Sequence, residues 1–279
     1  MHFVLEHLLS GSTMQAICQL RWMTYNVRLD TPEDVQDPWW RRREHIAALM
    51  RFHVVDVAGL QEPLRHQCDD LASRLPGYAW VGRGRDDGVD GGEFTPVFYR
   101  REVIDLLAWQ VDWLAPPPAG PGQKGWDAGA VRTMTTVLLR HRQTGQRIRY
   151  GNTHLDYHGP RSRLESARLI ASWATSCPEA VVAGGDWNEP SDAPGQQVLA
   201  QCLQDASTIS AEPVFGPQGT FPGFAVGSEE GPALDRLWLS SGITVRRLGK
   251  LNGHARGRHH SDHLPVVADL VFEGTGEAS

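Results

Sequence analysis

Two short strings carry much of the chemistry this chain can perform: Gly184-Gly185-Asp186-Trp187-Asn188 and Ser261-Asp262-His263-Leu264-Pro265. Each sets carboxylate, amide or imidazole groups against a short apolar run, residues 180–183 before the first and 264–267 after the second. Apolar, β-branched runs bounded by Gly or Pro read as buried strands. Polar residues at the ends of buried strands are where open α/β sheets place their ligand crevices. Three more strings share the form: Thr24-Tyr25-Asn26, Leu60-Gln61-Glu62 and Asn152-Thr153-His154-Leu155-Asp156. Five polar strand ends in one chain predict a single convergent site.

The donors are hard. Glu62, Asp186 and Asp262 offer carboxylate oxygens and Asn26 and Asn188 offer amides, with no thiolate among them. Such a set suits Mg²⁺ or Mn²⁺; Mg²⁺ typically takes one or two carboxylates plus phosphate oxygens of a substrate. His154 and His263 bring proton transfer and positive charge near neutral pH. A carboxylate beside an imidazole fixes its tautomer and favours its charged form, and Asp235 and Glu93 are the candidates for that task. A cation, an activated water and amide donors together describe in-line hydrolysis of a phosphoester.

The elements that must position these groups alternate strands with helices. Residues 19–27 alternate as a strand ending at Asn26, and 54–60 form a second strand delivering Glu62. A helix is expected over 39–52, and Leu64, Cys68, Leu71 and Leu75 form the stripe of another, stopped by Pro76-Gly77. β signals then dominate at 78–83, 94–100, 103–111, 131–141 and 147–153, the last two joined by a turn at Gln143-Thr144-Gly145. The second half adds a helix at 160–176, the Val181 strand, a segment near 196–203, and strands around 234–239, 243–248 and 266–272. The polar segment 84–92 reads as a flexible loop. The Pro/Gly-rich segment 115–129 is long enough to read as a functional flap. With no linker, repeat or low-complexity tract, residues 19–273 read as one domain, flanked by an N-terminal extension over 1–18 and a tail over 274–279. The expected architecture is a four-layer α/β/β/α sandwich, with two mixed sheets face to face and helices outside.

Composition bounds the function. The chain has 279 residues, 41% hydrophobic and 22% charged, an ordinary globular balance. A net charge of −6 disfavours a protein that grips long nucleic acid by phosphate neutralisation alone. Cys18, Cys68, Cys177 and Cys202 lack metal-knot spacing and read as reduced thiols. Neither a signal peptide nor a membrane span is expected, since no run approaches ~18 apolar residues; the expected compartment is the cytoplasm, with no obligate protein partner.

In type and order these strings resemble the endonuclease/exonuclease/phosphatase superfamily, from about Trp22 to Phe272. That superfamily includes pancreatic deoxyribonuclease, apurinic/apyrimidinic endonucleases, inositol polyphosphate phosphatases, bacterial sphingomyelinases and deadenylases. The resemblance implies that Asn26 positions the phosphate and the catalytic Asp, that Glu62 binds metal, and that His154 contacts phosphate. It implies that Asp186 activates water, that Asn188 stabilises the pentavalent phosphorus, and that Asp235 and His263 form a dyad beside the metal-side carboxylate Asp262. Glu93 matches a Glu that orients the first His in the deoxyribonuclease branch. Trp187 replaces the usual Phe. Gly92-Glu93-Phe94, Lys124-Gly125-Trp126-Asp127 and the residues after His154 look like a bacterial subgroup without assigned substrate.

The resulting expectation is an Mg²⁺- or Mn²⁺-dependent phosphoesterase. Glu62, Asp262 and Asn26 lie at the metal, and either Asp186 or a His263–Asp235 dyad serves as the base. A small or terminal phosphoester is the favoured substrate. A DNA or RNA nuclease is the alternative, and a catalytically inactive binding module the second. Asp156 and His158 need no role of their own, and Arg161, Arg163 and Arg168 are expected on a solvated helix face. Residues 253–260 fit a phosphate contact and an exposed loop equally. Trp39, Trp40, Trp126 and Phe221 are taken as core.

Overall fold

Successive strand side chains point to opposite faces, and the central strands are buried on both, which sets the layers. The structure is a computed structural model and describes residues 17–273. In chain order the first half runs β1 (Cys18–Asn26), α1 (Trp39–Phe52), β2 (Val57–Gln61), α2 (Arg65–Arg74), β3 (Tyr78–Val81) and β4 (Val97–Arg100). The second runs β5 (Ile104–Trp113), β6 (Thr133–His141), β7 (Arg147–His154), α3 (Pro160–Ser176), β8 (Ala180–Asp186), α4 (Pro194–Leu199), β9 (Gln204–Asp205) and β10 (Asp235–Leu239). Then come β11 (Ile243–Lys250), the short pair β12 (His254–Ala255) and β13 (Arg258–His259), and β14 (Val266–Phe272).

Two six-stranded sheets result, ordered β11-β14-β1-β2-β4-β3 and β5-β6-β7-β8-β10-β9. Each holds one parallel pair, β1 with β2 and β7 with β8, among antiparallel neighbours. A parallel pair needs a long crossover, which α1 and α3 provide. Leu20, Trp22, Val57, Tyr150, Val182, Leu237 and Leu270 fill the space between the sheets. Met23, Tyr25, Ala58 and Leu60 face the helix α1 residues Ile46 and Met50 on one outer side. Val181, Ala183 and Trp238 face Ala167 and Ile170 of α3 on the other. The expected α/β/β/α sandwich is what these residues build.

One consequence of the period-2 alternation places the site. In β1, Leu20 and Trp22 point between the sheets, so Thr24 and Asn26 do too. By the same parity Asn152 and His154 follow Tyr150, Asp186 follows Val182, and Asp235 precedes Leu237 on the inner face. The inner face thus turns from apolar to polar at one end of the sandwich. Gln61 and Asn152 mark the change: Gln61 Nε2 donates to Asn152 Oδ1 at 2.6 Å, and Asn152 Nδ2 donates to the Leu60 carbonyl at 2.8 Å, tying the sheets together. Gly59 permits that approach, since a Cβ there would stand 2.0 Å from the Tyr150 hydroxyl.

Most of the extension expected over 1–18, and the tail over 274–279, lie outside the described residues; Cys18 already pairs with Phe272 as part of β1. Of the four aromatics taken as core, Trp39 is buried, but Trp40 is 62% exposed and Phe221 39% exposed, and Trp126 is only half-buried. Trp40 neighbours Trp39 on a helix, where adjacent positions point about 100° apart. Among the described residues no helix is long and apolar enough to cross a membrane.

Candidate active site

Strand register sets three of the chemical groups side by side. His154 is paired with Asp186 across β7 and β8, and Asp235 with the same Asp186 across β10 and β8. Asp186 is the hub. Its Oδ2 accepts from Asn26 Nδ2 at 3.0 Å and lies 3.4 Å from His154 Nε2 and 3.5 Å from His263 Nε2. Its Oδ1 accepts the Asn188 backbone N–H at 3.0 Å. The turn after β8 puts Asn188 at φ 51, and the turn after β2 puts Glu62 at φ 73. Left-handed backbone at a non-glycine residue costs about 1–3 kcal/mol and concentrates at functional sites.

The two imidazoles are driven in opposite directions. Burial pushes the His154 pKa down, and Arg132, Arg85 and His263 add to the effect, so this ring is held neutral. Its Nε2 then accepts from Asn188 Nδ2 at 3.0 Å, which leaves the proton on Nδ1. Burial would also depress His263, but Asp235 on its Nδ1 at 2.8 Å, Asp186 and Asp262 outweigh it and hold its pKa well above the usual imidazole range. Phe221 covers this second ring at 4.8 Å between centroids. Titratable groups pushed apart in this way take opposite acid–base roles.

Glu62, Asp186, Asp235 and Asp262 are all buried, and the cations against them are Arg28, 3.8 Å from Asp262, and the His263 imidazolium. Burial raises the Asp186 carboxyl to about 7 against His263, with Asp235 adding to the rise. Burial likewise raises Asp262, with Glu62 contributing. With all four carboxylates ionised, the two cations leave an excess of two negative charges, which one divalent cation would neutralise, and that excess is in line with the raised Asp186 and Asp262 carboxyls. Asp186, Asp235 and His263 offer ligand atoms within 4.8 Å of one another and could hold a metal ion. Both nitrogens of His263 face carboxylates, however, so this trio fits a hydrogen-bonded relay better than an open chelate. Glu62 accepts one N–H on each oxygen, from Asn26 at 2.8 Å and Leu29 at 3.1 Å, and Asp262 accepts the Ser261 hydroxyl at 3.2 Å; neither is paired with an imidazole, and each carboxylate oxygen keeps a lone pair. Asn26 turns its NH₂ to Glu62 at 2.8 Å and its oxygen to the Arg28 N–H at 3.0 Å. It therefore aligns the Glu62 and Asp186 carboxylates.

Glu93 is near the first histidine but does not hydrogen-bond it: its Oε2 stands 3.8 Å from His154 Nδ1 and is taken by Arg85 at 2.6 Å. Burial raises its carboxyl to about 7 despite Arg85.

Several supporting groups were not expected from the sequence. Asp156, given no role there, is buried and accepts five N–H groups: Gly129, His158 and Gly159 on Oδ1, Ala130 and Arg132 on Oδ2. It fastens the end of the long 115–129 segment, and Asp127 of that segment caps α3 through the Ser162 N–H at 2.6 Å. The segment is thus tied down at this end. Arg163 is not solvated: it donates to the Asp156 carbonyl at 2.8 Å and meets Glu189 at 3.2 Å. Thr220 Oγ accepts the Leu234 and Asp235 N–H groups at 2.8 and 3.1 Å, and its carbonyl accepts the Leu264 N–H at 2.7 Å, which locks both ends of the His263 dyad. Arg132, beside His154, is buried with one guanidinium nitrogen unpartnered. Arg163 lies on α3, and the others lie on loops far apart in the chain. Their only local signal was polar character beside a motif.

The family model of the endonuclease/exonuclease/phosphatase family matches residues 23–263. The chain belongs to that family. A family structure from Bacteroides vulgatus is similar over 92% of this chain and 100% of its own, at 31% identity and TM-score 0.88. A mannosyl-6-phosphatase from Bacteroides thetaiotaomicron is similar over 91% of this chain and 100% of its own, at 30% identity and TM-score 0.86. D. rerio TDP2, complexed with a single-strand DNA product, shares the fold at 18% identity and TM-score 0.70, over 90% of this chain and 98% of its own. No curated protein matches the chain. Family members are hydrolases of phosphoesters, so the coarse chemistry is assigned.

Proposed function

We propose that this protein is an Mg²⁺- or Mn²⁺-dependent phosphoesterase acting on a small or terminal phosphoester. The observation that carries the reading is the convergence of Glu62, Asp262, Asp186, His154, Asn188 and the Asp235–His263 pair at the polar end of the inter-sheet face. Glu62 and Asp262 hold the cation, whose charge stabilises phosphoryl oxygens when bound. Asn26 keeps Glu62 and Asp186 in line. Asp186 orients the attacking water and accepts its proton. His263, protonated and anchored by Asp235, donates toward the developing charge, while the Asn188 amide and His154 flank the phosphoryl group.

Two observations favour a small substrate. The net charge is −6, which opposes long-range attraction of a polyanion. The 30% identical neighbour from Bacteroides thetaiotaomicron is a mannosyl-6-phosphatase. The test is hydrolysis of sugar phosphates and of duplex DNA by the full chain, with EDTA and after restoring Mg²⁺ or Mn²⁺. Turnover of small phosphoesters that vanishes with EDTA and returns with metal is the expected result. Full activity without metal refutes the mechanism, and faster, salt-sensitive cleavage of duplex DNA refutes the substrate class.

A further inference from the structure

A groove of about 750 Å³ lies beside the site, between the start of α1 and the β12–β13 hairpin. It shares structure with the catalytic end. Arg42 in its wall donates to the carbonyls of Val27, Arg28 and His260, and the Ser261 hydroxyl bonds the Asn26 carbonyl at 2.7 Å. The groove wall at His260 is therefore two residues from Asp262, and its Arg42 is bonded to the carbonyl of Val27, the residue after Asn26.

The lining is basic in a chain of negative net charge: four arginines against one carboxylate, Asp37. That carboxylate is already taken by Arg258. Arg256 is exposed at the hairpin tip, at φ 55. Arg41 is exposed too, its guanidinium 4.8 Å from the Trp40 ring centroid. Neither has an ion pair among the described residues. Both guanidiniums line the same groove with no carboxylate paired to them among the described residues, and guanidinium forks match phosphate geometry. Trp40, 62% exposed on the same rim, offers an apolar face on which a ring can lie.

Resting on the phosphoesterase reading, we propose that this groove holds the leaving-group side of the substrate and that Arg41 and Arg256 bind a second phosphate on it. The preferred substrate class is then a small, ring-bearing bisphosphate, one phosphate at Asp186 and the other in the groove. Arg41 and Arg256 are specificity residues that take no part in the reaction.

The experiment compares fructose 1,6-bisphosphate with fructose 6-phosphate as probes of the full chain, in wild type, Arg256→Ala, and Arg41→Ala/Arg256→Ala. The binding arm follows Trp fluorescence, with Trp40→Phe to identify the responding ring. The expected result is tighter quenching by the bisphosphate, lost with Trp40→Phe and weakened about tenfold or more in the double variant. In the kinetic arm KM for the bisphosphate rises by a similar factor, with kcat and monophosphate KM unchanged. Equal response to both probes, or an unaltered double variant, overturns the groove assignment and leaves the phosphoesterase reading standing. Bisphosphate quenching with no metal-dependent turnover has the converse meaning. Tighter quenching by a single-stranded oligonucleotide, with a salt slope of several phosphates, overturns the small-molecule assignment. Both arginines are exposed, so circular dichroism of the variants should match wild type, and Arg256→Ala supplies a milder second variant.

Discussion

Asp156→Asn should loosen this protein measurably although it touches no reacting atom. Burial opposes ionisation of Asp156, but the N–H groups of Gly129, Gly159 and Ala130, with Arg132, outweigh it and hold the carboxyl at about 2 against an ordinary 3.8. That difference corresponds to about 2 kcal/mol of folding stability at neutral pH. Asparagine keeps the shape but replaces one acceptor oxygen by an NH₂, which must face either two or three N–H donors now without a partner. A buried unpaired donor adds about 1–3 kcal/mol, so the total loss should be about 3–5 kcal/mol. For a domain of this size that is a fall in Tm of roughly 10 °C. The pH dependence has a definite sign. Because the folded pKa is depressed, the stabilisation by the charge is complete above the ordinary value and is lost as pH falls through it toward about 2. Urea denaturation of both proteins at pH 7, 5, 4 and 3 measures the difference. It should be level from pH 7 to 5 and should shrink between 4 and 3. A difference under about 1 kcal/mol at pH 7, or one that grows on acidification, refutes the assigned role of Asp156 as the fastening of the 115–129 segment.

Asp235→Asn should lower kcat by about 10²-fold or more with circular dichroism unchanged. Since Asp235 helps hold the His263 pKa high, the alkaline limb of the pH–rate profile should move to lower pH; a limb that stays put removes His263⁺ from the mechanism. Arg132→Gln withdraws one of the charges that depress His154. The His154 resonance should therefore titrate at higher pH by NMR. An unmoved titration would mean that burial alone keeps His154 neutral.

The amino-acid sequence by itself determined the layers and the reactive groups. Period-2 runs such as Leu20–Trp22–Thr24–Asn26 specify which side chains face inward, and polar residues closing those runs must collect where the strands end. That information is local, and it sufficed for the two sheets, for α1 and α3, and for Asp186, His154, Asp235, His263, Glu62 and Asp262 as one group. What only the tertiary structure decided are relations between distant segments. Gln61 and Asn152 read as ordinary motif neighbours until the sheets approach at Gly59. Asp156 has no visible task until residues 129–132 arrive from 24–27 positions earlier in the chain to donate to it. Asn26 reads as one polar strand end until Glu62 and Asp186 arrive from 36 and 160 positions away to receive its NH₂. Trp40 and Trp39 are chemically alike, and the helix phase sends one into the core and the other to the rim of the groove. A residue's type states what it can donate or accept. Which partner receives it depends on loop closures across the whole chain, and no local pattern encodes those.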